Sequence, residues 1–452
     1  MTVAGAERMR RSENRNVGMA LSVAQYLVET LVHEGVERIY GVTGDSLNAI
    51  TDAIHRDGRI KFVHVRHEEA AALMASAEAQ ATGKLAVCAG SCGPGNLHLI
   101  NGLYDAHRSG AAVLAIASHI PSGQIGTGYF QETHPERLFT ECSHYCEMAM
   151  SAAHAPRVLR GAIQHAVGRC GVGVMVLSGD LSSEEIPGDI HPTPIASPRP
   201  HVRPNDAEMT ELAEVINGAK RVCIFGGYGC REAHDEVVAL ASRLKAPVGH
   251  TSRAKPHLEW GNPYDVGMNG LIGFGGFPAA LEGCDLLLLL GCDFPYVDFY
   301  PKDAKIVQID SRAEVLGRRT HVDLGLVGDV GATLRMLLPM LTAREDERYL
   351  EHAKSVDVRS KRKVSQYIDH VDPERPIHPE LVAATLSELM ADDSIVTADT
   401  GLCNVWLARH WAAGPKRDII ASWVHGTMAN ALPHAAGAQA AFPNRQVVAM
   451  AG

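Results

Sequence analysis

Short apolar runs alternate with helix-patterned stretches along nearly the whole of this chain. That alternation admits few folds. A strand buried on both faces reads as an unbroken run of Val, Ile, Leu and Ala, and two parallel neighbours need a crossover long enough to hold a helix. The pattern therefore predicts an α/β protein of doubly wound parallel sheets. In the first third, strands are expected at Arg38–Val42, Phe62–Arg66, Leu85–Ala89, Ala112–Ala117 and Val172–Ser178, with helices such as Ser22–Glu34 and Glu68–Thr82 between them. A second set is Val222–Phe225, Pro247–Thr251, Leu286–Leu290, Ile306–Ile309 and Leu324–Val327, and a third is Ser394–Ala398, Ile419–Ser422 and Val447–Met450.

A chain of 452 residues is long enough for several such units. Three domains are expected, at 19–186, 205–342 and 376–452. A Pro-rich linker at 187–204 and a charged, helical linker at 343–375 join them. Residues 1–18 hold four Arg and two Glu without an apolar core, so they read as a disordered extension and not as a secretory leader. The third domain is expected to be incomplete. The sequence stops at Gly452 directly after a strand, and a parallel sheet seldom leaves an edge and a face bare.

Charge and composition exclude some partners. The formal net charge is -10 with no long basic run, which disfavours nucleic acid, whose affinity rests on phosphate neutralisation. The longest strongly apolar run, Leu286–Leu290, is far short of the roughly 20 residues of a membrane span. Ten Cys without a tight framework suit a reducing cytoplasm. Cys142-Ser143-His144-Tyr145-Cys146 has a metal-like spacing, but no second ligand pair follows it, so no metal ligand is assigned.

The chemistry-bearing residues sit at the carboxyl ends of expected strands, where open α/β sheets bind ligands. Tyr40-Gly41-Val42-Thr43-Gly44-Asp45-Ser46 is a strand-end turn in which Asp45 or Ser46 can cap a helix. Gly90-Ser91-Cys92-Gly93-Pro94-Gly95-Asn96 can bring backbone close to a ligand or can be a plain turn. Glu68 opens an Ala-rich, nearly uncharged helix. It is either a carboxylate favoured by the helix dipole or a proton-handling group in a dry site. Phe225-Gly226-Gly227-Tyr228-Gly229 is part of a phosphate-cradling turn. Asp310 ends a strand, where it can bond a ribose hydroxyl or simply close a turn. Asn269 to Gly276 is a Gly-dense loop of the kind that lies against something flat. In the last third, Asp399-Thr400-Gly401 and His425-Gly426-Thr427-Met428-Ala429-Asn430 each follow a strand.

Together these segments resemble the thiamine-diphosphate-dependent pyruvate oxidases, and most of all the bacterial flavin-containing pyruvate dehydrogenases that deliver electrons to quinone. The likeness runs from about Val23 to Gly452. It rests on Gly41 to Asn48, Cys88 to Leu103, Ile125 to Cys146, Asn262 to Phe274, Phe294 to Asp310 and His425 to Met450. The resemblance implies a pyrimidine-binding, a flavin-binding and a diphosphate-binding domain. It implies that Glu68 activates the cofactor, that Phe130 and Gln131 line the substrate side, and that Gly44 and Asp45 lie at the cofactor. Asn269, Gly270, Leu271, Ile272, Cys292, Asp293, Phe294, Pro295, Tyr296 and Asp310 match FAD-binding positions. Asp399, Thr400 and Gly401 match the diphosphate site. Gly426, Thr427 and Met428 match the segment whose Met wedges the two cofactor rings into a V.

The implied reaction is oxidative decarboxylation of pyruvate to acetate and carbon dioxide through a thiamine diphosphate enamine, with electrons passing through FAD to a quinone or another acceptor. The implied assembly is a homo-oligomer, a tetramer of paired dimers. The family's Mg2+ ligands lie beyond Gly452, as does the amphipathic tail through which quinone-linked members touch the inner membrane face. Two other readings stay open. One is an acetolactate-synthase-like carboligase, and the other is a truncated, inactive flavoprotein.

Overall fold

The computed structural model describes residues 20–188, 190–196, 201–369, 374 and 376–452. The expected extension at 1–18 lies outside the described residues. The chain divides into two compact units. One holds the described residues up to Ala196 together with Val424–Pro443. The other holds those from His201 to Trp423 together with Asn444–Gly452.

The sheet of the first unit is parallel throughout. Its strands are β1 (Arg38–Gly41), β2 (Lys61–His64), β3 (Ala86–Gly90), β4 (Val113–His119), β5 (Tyr145–Met148) and β6 (Val172–Ser178), in the order β2-β1-β3-β4-β6-β5. Strands β3, β4 and β6 are buried along their whole length, which is why their residues read as unbroken apolar runs. Strand β5 was not expected. It is a half-buried edge strand of Tyr, Cys, Glu and Met, and such a composition carries no apolar run.

The second unit carries two sheets. The larger comprises β7 (Val222–Gly226), β8 (Val248–His250), β9 (Asp265–Met268), β10 (Phe274–Gly275), β11 (Leu286–Leu290), β12 (Lys305–Asp310) and β13 (Leu324–Val327). Its order is β10-β9-β8-β7-β11-β12-β13, and only β10 runs antiparallel to its neighbour. The Gly-dense loop was expected to lack secondary structure, yet Phe274–Gly275 pairs with Gly267–Met268. Strand β9 escapes sequence reading because Asp265 and Gly267 interrupt it. A side chain at Gly267 (φ +97°) would run into the Phe274 carbonyl. The smaller sheet is β14 (Ile395–Ala398), β15 (Asp418–Ala421) and β16 (Val447–Met450), parallel in the order β15-β14-β16. Helix Arg348–Asp369 does more than connect. Gly276 abuts the Ala353 carbonyl, and Ser360 Oγ accepts the Gly275 N–H at 3.0 Å.

Helix Glu68–Thr82 forms where it was expected. Its Ala content has a packing cause. Helix Pro94–Ser109 approaches it through Gly102, where a Cβ would overlap Ala72. Helix Ala431–Ala441 approaches it through Gly437, where a Cβ would overlap the Met74 carbonyl. Small side chains on all three elements let the backbones come that close.

Just before β5, the His144 ring lies 4.5 Å from that of His107 in the last turn of helix Pro94–Ser109, tilted by 60°. Burial, then His107, Arg169 and His165, hold His144 down to about 4. Burial, then Arg108 and Arg169, lowers His107 as well. In the unfolded chain both titrate near 6.5. The unfolded state therefore binds more protons between about pH 6.5 and 4, and folding stability falls as pH drops through that window. Urea midpoints measured at pH 7.5, 6 and 5 should fall in that order, and His144→Gln should flatten the slope.

Candidate functional site

In each of the three sheets, strand order reverses between two parallel neighbours, and the loops leaving those neighbours diverge to leave a crevice. In the first sheet the reversal lies between β1 and β3. The turns that follow these strands are locked together. The Ser46 and Ser91 hydroxyls are 3.0 Å apart, and the Cys92 N–H donates to Ser46 Oγ at 3.0 Å. A Cβ on Gly44 would overlap the Ser91 hydroxyl. Neither Asp45 nor Ser46 caps the helix that follows, contrary to the sequence reading. Asp45 is exposed, and Ser46 is taken up by the neighbouring turn.

Glu68 is the first residue of its helix and is 8% exposed. His67 caps that helix, its Nδ1 accepting the Glu69 N–H at 3.2 Å. The Glu68 Oε2 hydrogen-bonds His98 Nδ1 at 2.9 Å, and the His98 ring stacks on His67 with centroids 4.2 Å apart. On the other side, a Cβ on Gly95 would sit 3.2 Å from Glu68 Oε1, so glycine leaves that oxygen open. Glu69 is tied down as well. Its Oε1 accepts from Asn101 Nδ2 at 2.5 Å. Asn101 also donates to Thr427 Oγ1 at 2.9 Å and meets His425 Nε2 through its Oδ1 at 2.8 Å. The structure thus brings Glu68 and Gly95 together with the segment carrying Gly426 (φ +75°), Thr427 and Met428. Met428 is 72% exposed, and Ala429 after it is left-handed at φ +61°.

Phe130 and Gln131 join the same crevice. Gln131 is left-handed at φ +62° and lies against Gly93, where a Cβ would come within 2.8 Å of Gln131 Cβ. The Cys92 thiol donates to Gln131 Oε1 at 3.3 Å. Phe130 stands 79% exposed. Glu132 shapes this loop by accepting the N–H groups of Gly126, Gly128 (2.7 Å) and Tyr129 (3.0 Å), and these bonds, Gly126 first, lower its pKa.

In the larger sheet of the second unit the reversal lies between β7 and β11. Gly227 and Gly229 abut the backbone at Gly291, so these glycines serve the meeting of two loops. The fragment does not open an α-helix, as a full phosphate-cradling turn would. It leads into a 3₁₀ turn, Tyr228–Cys230. Asn269 is buried, its Nδ2 donating to the Phe299 carbonyl at 3.0 Å. Gly270 (φ +98°) faces the Phe294 ring at a spacing no side chain would tolerate, which sets Asn269–Ile272 beside Cys292–Tyr296. Cys292 and Phe294 are buried, whereas Leu271, Pro295 and Tyr296 are exposed. Asp293 is clamped by Arg318 and by Arg319 Nε at 2.9 Å. Asp310 accepts the Arg312 N–H at 3.0 Å. Burial raises its pKa against the pull of Arg312.

In the smaller sheet, Asp399, Thr400 and Gly401 follow the central strand β14. Asp399 Oδ2 accepts the Gly452 N–H at 2.9 Å, which joins the turns after β14 and β16. Gly401 (φ +141°) precedes helix Leu402–His410, whose first turn has no side-chain cap. The Thr400 hydroxyl is buried without a partner. Free helix N–H groups, a spare hydroxyl and an exposed glycine fit a diphosphate. The open carboxylate oxygen of Glu68, beside glycine and opposite His98, fits a hydrogen-bonding heterocycle. The clamped Asp293, the aromatic cluster about Phe294 and the exposed Leu271 fit a flat, partly apolar ligand.

Sequence reasoning missed His98, Asn101 and Glu132. The partners of His98 and Asn101 lie 30 and 32 residues away, a spacing that no local period marks, and Glu132 serves a loop that has no period at all. No described helix is long and apolar enough to cross a membrane.

Three family descriptions match this chain. Residues 21–138 match the thiamine pyrophosphate enzyme N-terminal TPP binding domain, 209–337 the central domain, and 399–452 the C-terminal TPP binding domain. Among curated relatives, an uncharacterized 42.6 kDa protein of Pseudomonas amyloderamosa is 56% identical over 73% of this chain and 83% of its own length. The putative thiamine pyrophosphate-containing protein YdaP of Bacillus subtilis is 36% identical over 95% of this chain and 75% of its own. Pyruvate oxidase of Lactiplantibacillus plantarum is 30% identical over 98% of this chain and 74% of its own, and acetolactate synthase large subunits lie at the same distance. The chain belongs to the thiamine pyrophosphate enzyme family.

Proposed function

We propose that this chain oxidatively decarboxylates pyruvate to acetate and carbon dioxide, with thiamine diphosphate, Mg2+ and FAD as cofactors and a quinone or another acceptor taking the electrons. Water supplies the second acetate oxygen, and two electrons and two protons leave per turnover. The observation that carries the reading is Glu68, buried at the strand-order reversal with one oxygen fixed and the other open.

When bound, thiamine diphosphate supplies the electron sink for decarboxylation. Glu68 Oε1 would hold the proton at a pyrimidine nitrogen, and His98 on Oε2 keeps the carboxyl from turning away. Asn101 would fix the Met428 segment through Thr427 and His425, so that the exposed Met428 side chain meets the rings. Thr400 and the first N–H groups of helix Leu402–His410 would hold the diphosphate. Asn269–Ile272, Cys292–Tyr296 and Asp310 would hold FAD. Phe130 and Gln131 would line the 2-oxoacid pocket. The exposed Phe130, Met428 and Leu432 make a second copy of the chain the proposed cover for this face.

A carboligase reading is favoured by one finding, the equal distance of acetolactate synthases. Product analysis separates the two. With thiamine diphosphate, Mg2+, FAD and a quinone analogue, acetate should form in step with acceptor reduction. Acetolactate formed without acceptor reduction would sink the oxidase reading.

A further inference from the structure

A cavity lies in the second unit, away from the residues assigned above. Its volume is about 360 Å³, at the small end of the roughly 300–1,000 Å³ typical of ligand pockets. Lys255 and Glu259 of the short helix Lys255–Leu258 and its cap, Asp265 of β9, Lys361 of helix Arg348–Asp369, and the run Arg409-His410-Trp411 line it. Most of its charges are matched. Lys255, only 2% exposed, pairs with Glu259. Lys361 pairs with Asp357 at 2.9 Å. Asp265 is the exception among the carboxylates: its Oδ1 lies 3.3 Å from Nε2 of the fully buried His250, but the two make no hydrogen bond. Glu259 is also tied across the cavity, its Oε1 accepting the Ala413 N–H at 3.4 Å.

Arg409 is left over. Its half-buried guanidinium has no ion pair or hydrogen bond among the described residues, and its Nε is buried without a partner. Beside it, the indole Nε1 of Trp411, a residue 1% exposed, and the Nε2 of His410 are buried without partners too. An unmatched cation next to stranded N–H donors is costly unless something accepts from them.

We propose that this cavity binds a small organic acid through its carboxylate, held by Arg409 and the Trp411 N–H. The donors decide the class. A guanidinium edge and one indole N–H match the two oxygens and single charge of a carboxylate, whereas a phosphate dianion would call for more positive charge than one unmatched Arg. The occupant would join the end of helix Leu402–His410 to helix Lys255–Leu258 and β9. That helix follows directly on Gly401, so occupancy would steady the segment assigned to the diphosphate.

The test is thermal melting and calorimetric titration of the full chain with acetate, lactate or inorganic phosphate, against chloride at equal ionic strength. Thiamine diphosphate and Mg2+ are present throughout, so that the cofactor site is not the reporter. Acetate or lactate should raise the melting temperature. Arg409→Met should abolish the rise. Trp411→Phe, which keeps an aromatic ring but loses the N–H, should weaken binding roughly tenfold or more. Arg409→Lys, which keeps the charge, should retain part of it and serves if the Met variant does not fold. No carboxylate effect beyond chloride, an equal effect in the Arg409 and Trp411 variants, or a stronger effect of phosphate would overturn the proposal.

Discussion

Glu68→Gln should lower pyruvate turnover by roughly 10²–10⁴-fold, the usual contribution of a positioned acid–base group. The substitution is nearly isosteric. The introduced amide would still fill the space beside Gly95 and could still meet His98, so the 2.9 Å contact survives in some form while the transferable proton does not. Folding should change little. The carboxylate at the start of helix Glu68–Thr82 gains at most about 1 kcal/mol from the helix dipole. The expected signature is therefore a fall in kcat with unchanged far-ultraviolet circular dichroism and unchanged FAD affinity. Steady-state kinetics on pyruvate and a flavin titration measure both. Turnover within a few-fold of the parent protein would remove Glu68 from the chemistry and leave it a helix-start carboxylate.

Much of this arrangement was legible in the sequence, and what was missed has physical causes. Fully buried strands such as Leu286–Leu290 and Val172–Ser178 announce themselves because burial on both faces demands unbroken apolar runs. Strands β5, β9 and β10 lie at or next to a sheet edge, and they stayed hidden because such positions tolerate Glu, Asp and Gly. The Gly-rich turns do lie at strand ends, but their purpose could not be read. Gly227 and Gly229 serve contact with Gly291, and Gly44 serves contact with Ser91. Glycine reports a close approach without saying what approaches.

The same limit explains the site. Glu68 stood out because a carboxylate in an Ala-rich helix is anomalous in one dimension. His98 and Asn101 look like ordinary polar residues on an amphipathic helix until the fold sets them against Glu68 and Glu69. All three sheets nevertheless repeat one device. The turns after the strands flanking the reversal are tied to each other, by Ser46 to Ser91, by Gly227 to Gly291 and by Asp399 to Gly452. Each tie fixes the floor of a crevice from two separate stretches of chain, so no single motif in the sequence describes it.

The largest loss of stability should come from Asp105, at a distance from the chemistry. This carboxylate is fully buried on helix Pro94–Ser109. It accepts from Ser76 Oγ at 2.7 Å and lies 3.2 Å from His434 Nε2, while Asn430 lies 3.2 Å from His434 Nδ1. The group joins helix Glu68–Thr82, helix Pro94–Ser109 and helix Ala431–Ala441. Asp105→Ala leaves the Ser76 hydroxyl and the His434 Nε2 without their acceptor in a dry interior, and removing one member of a buried pair costs about 3–5 kcal/mol. Replacing both partners at once should cost less, because neither member of the pair then faces a lost mate and only the Ser76 and Asn430 contacts are given up. Asp105→Leu with His434→Leu should therefore be more stable than Asp105→Ala, and a double-mutant cycle by urea unfolding should give a coupling of at least about 1 kcal/mol. The function follows the packing. Helix Ala431–Ala441 carries the Met428 segment on its leading end, so a loosened helix should weaken thiamine diphosphate binding before it abolishes folding. Equal stability of the single and double variants would show that Asp105 and His434 do not act as a pair.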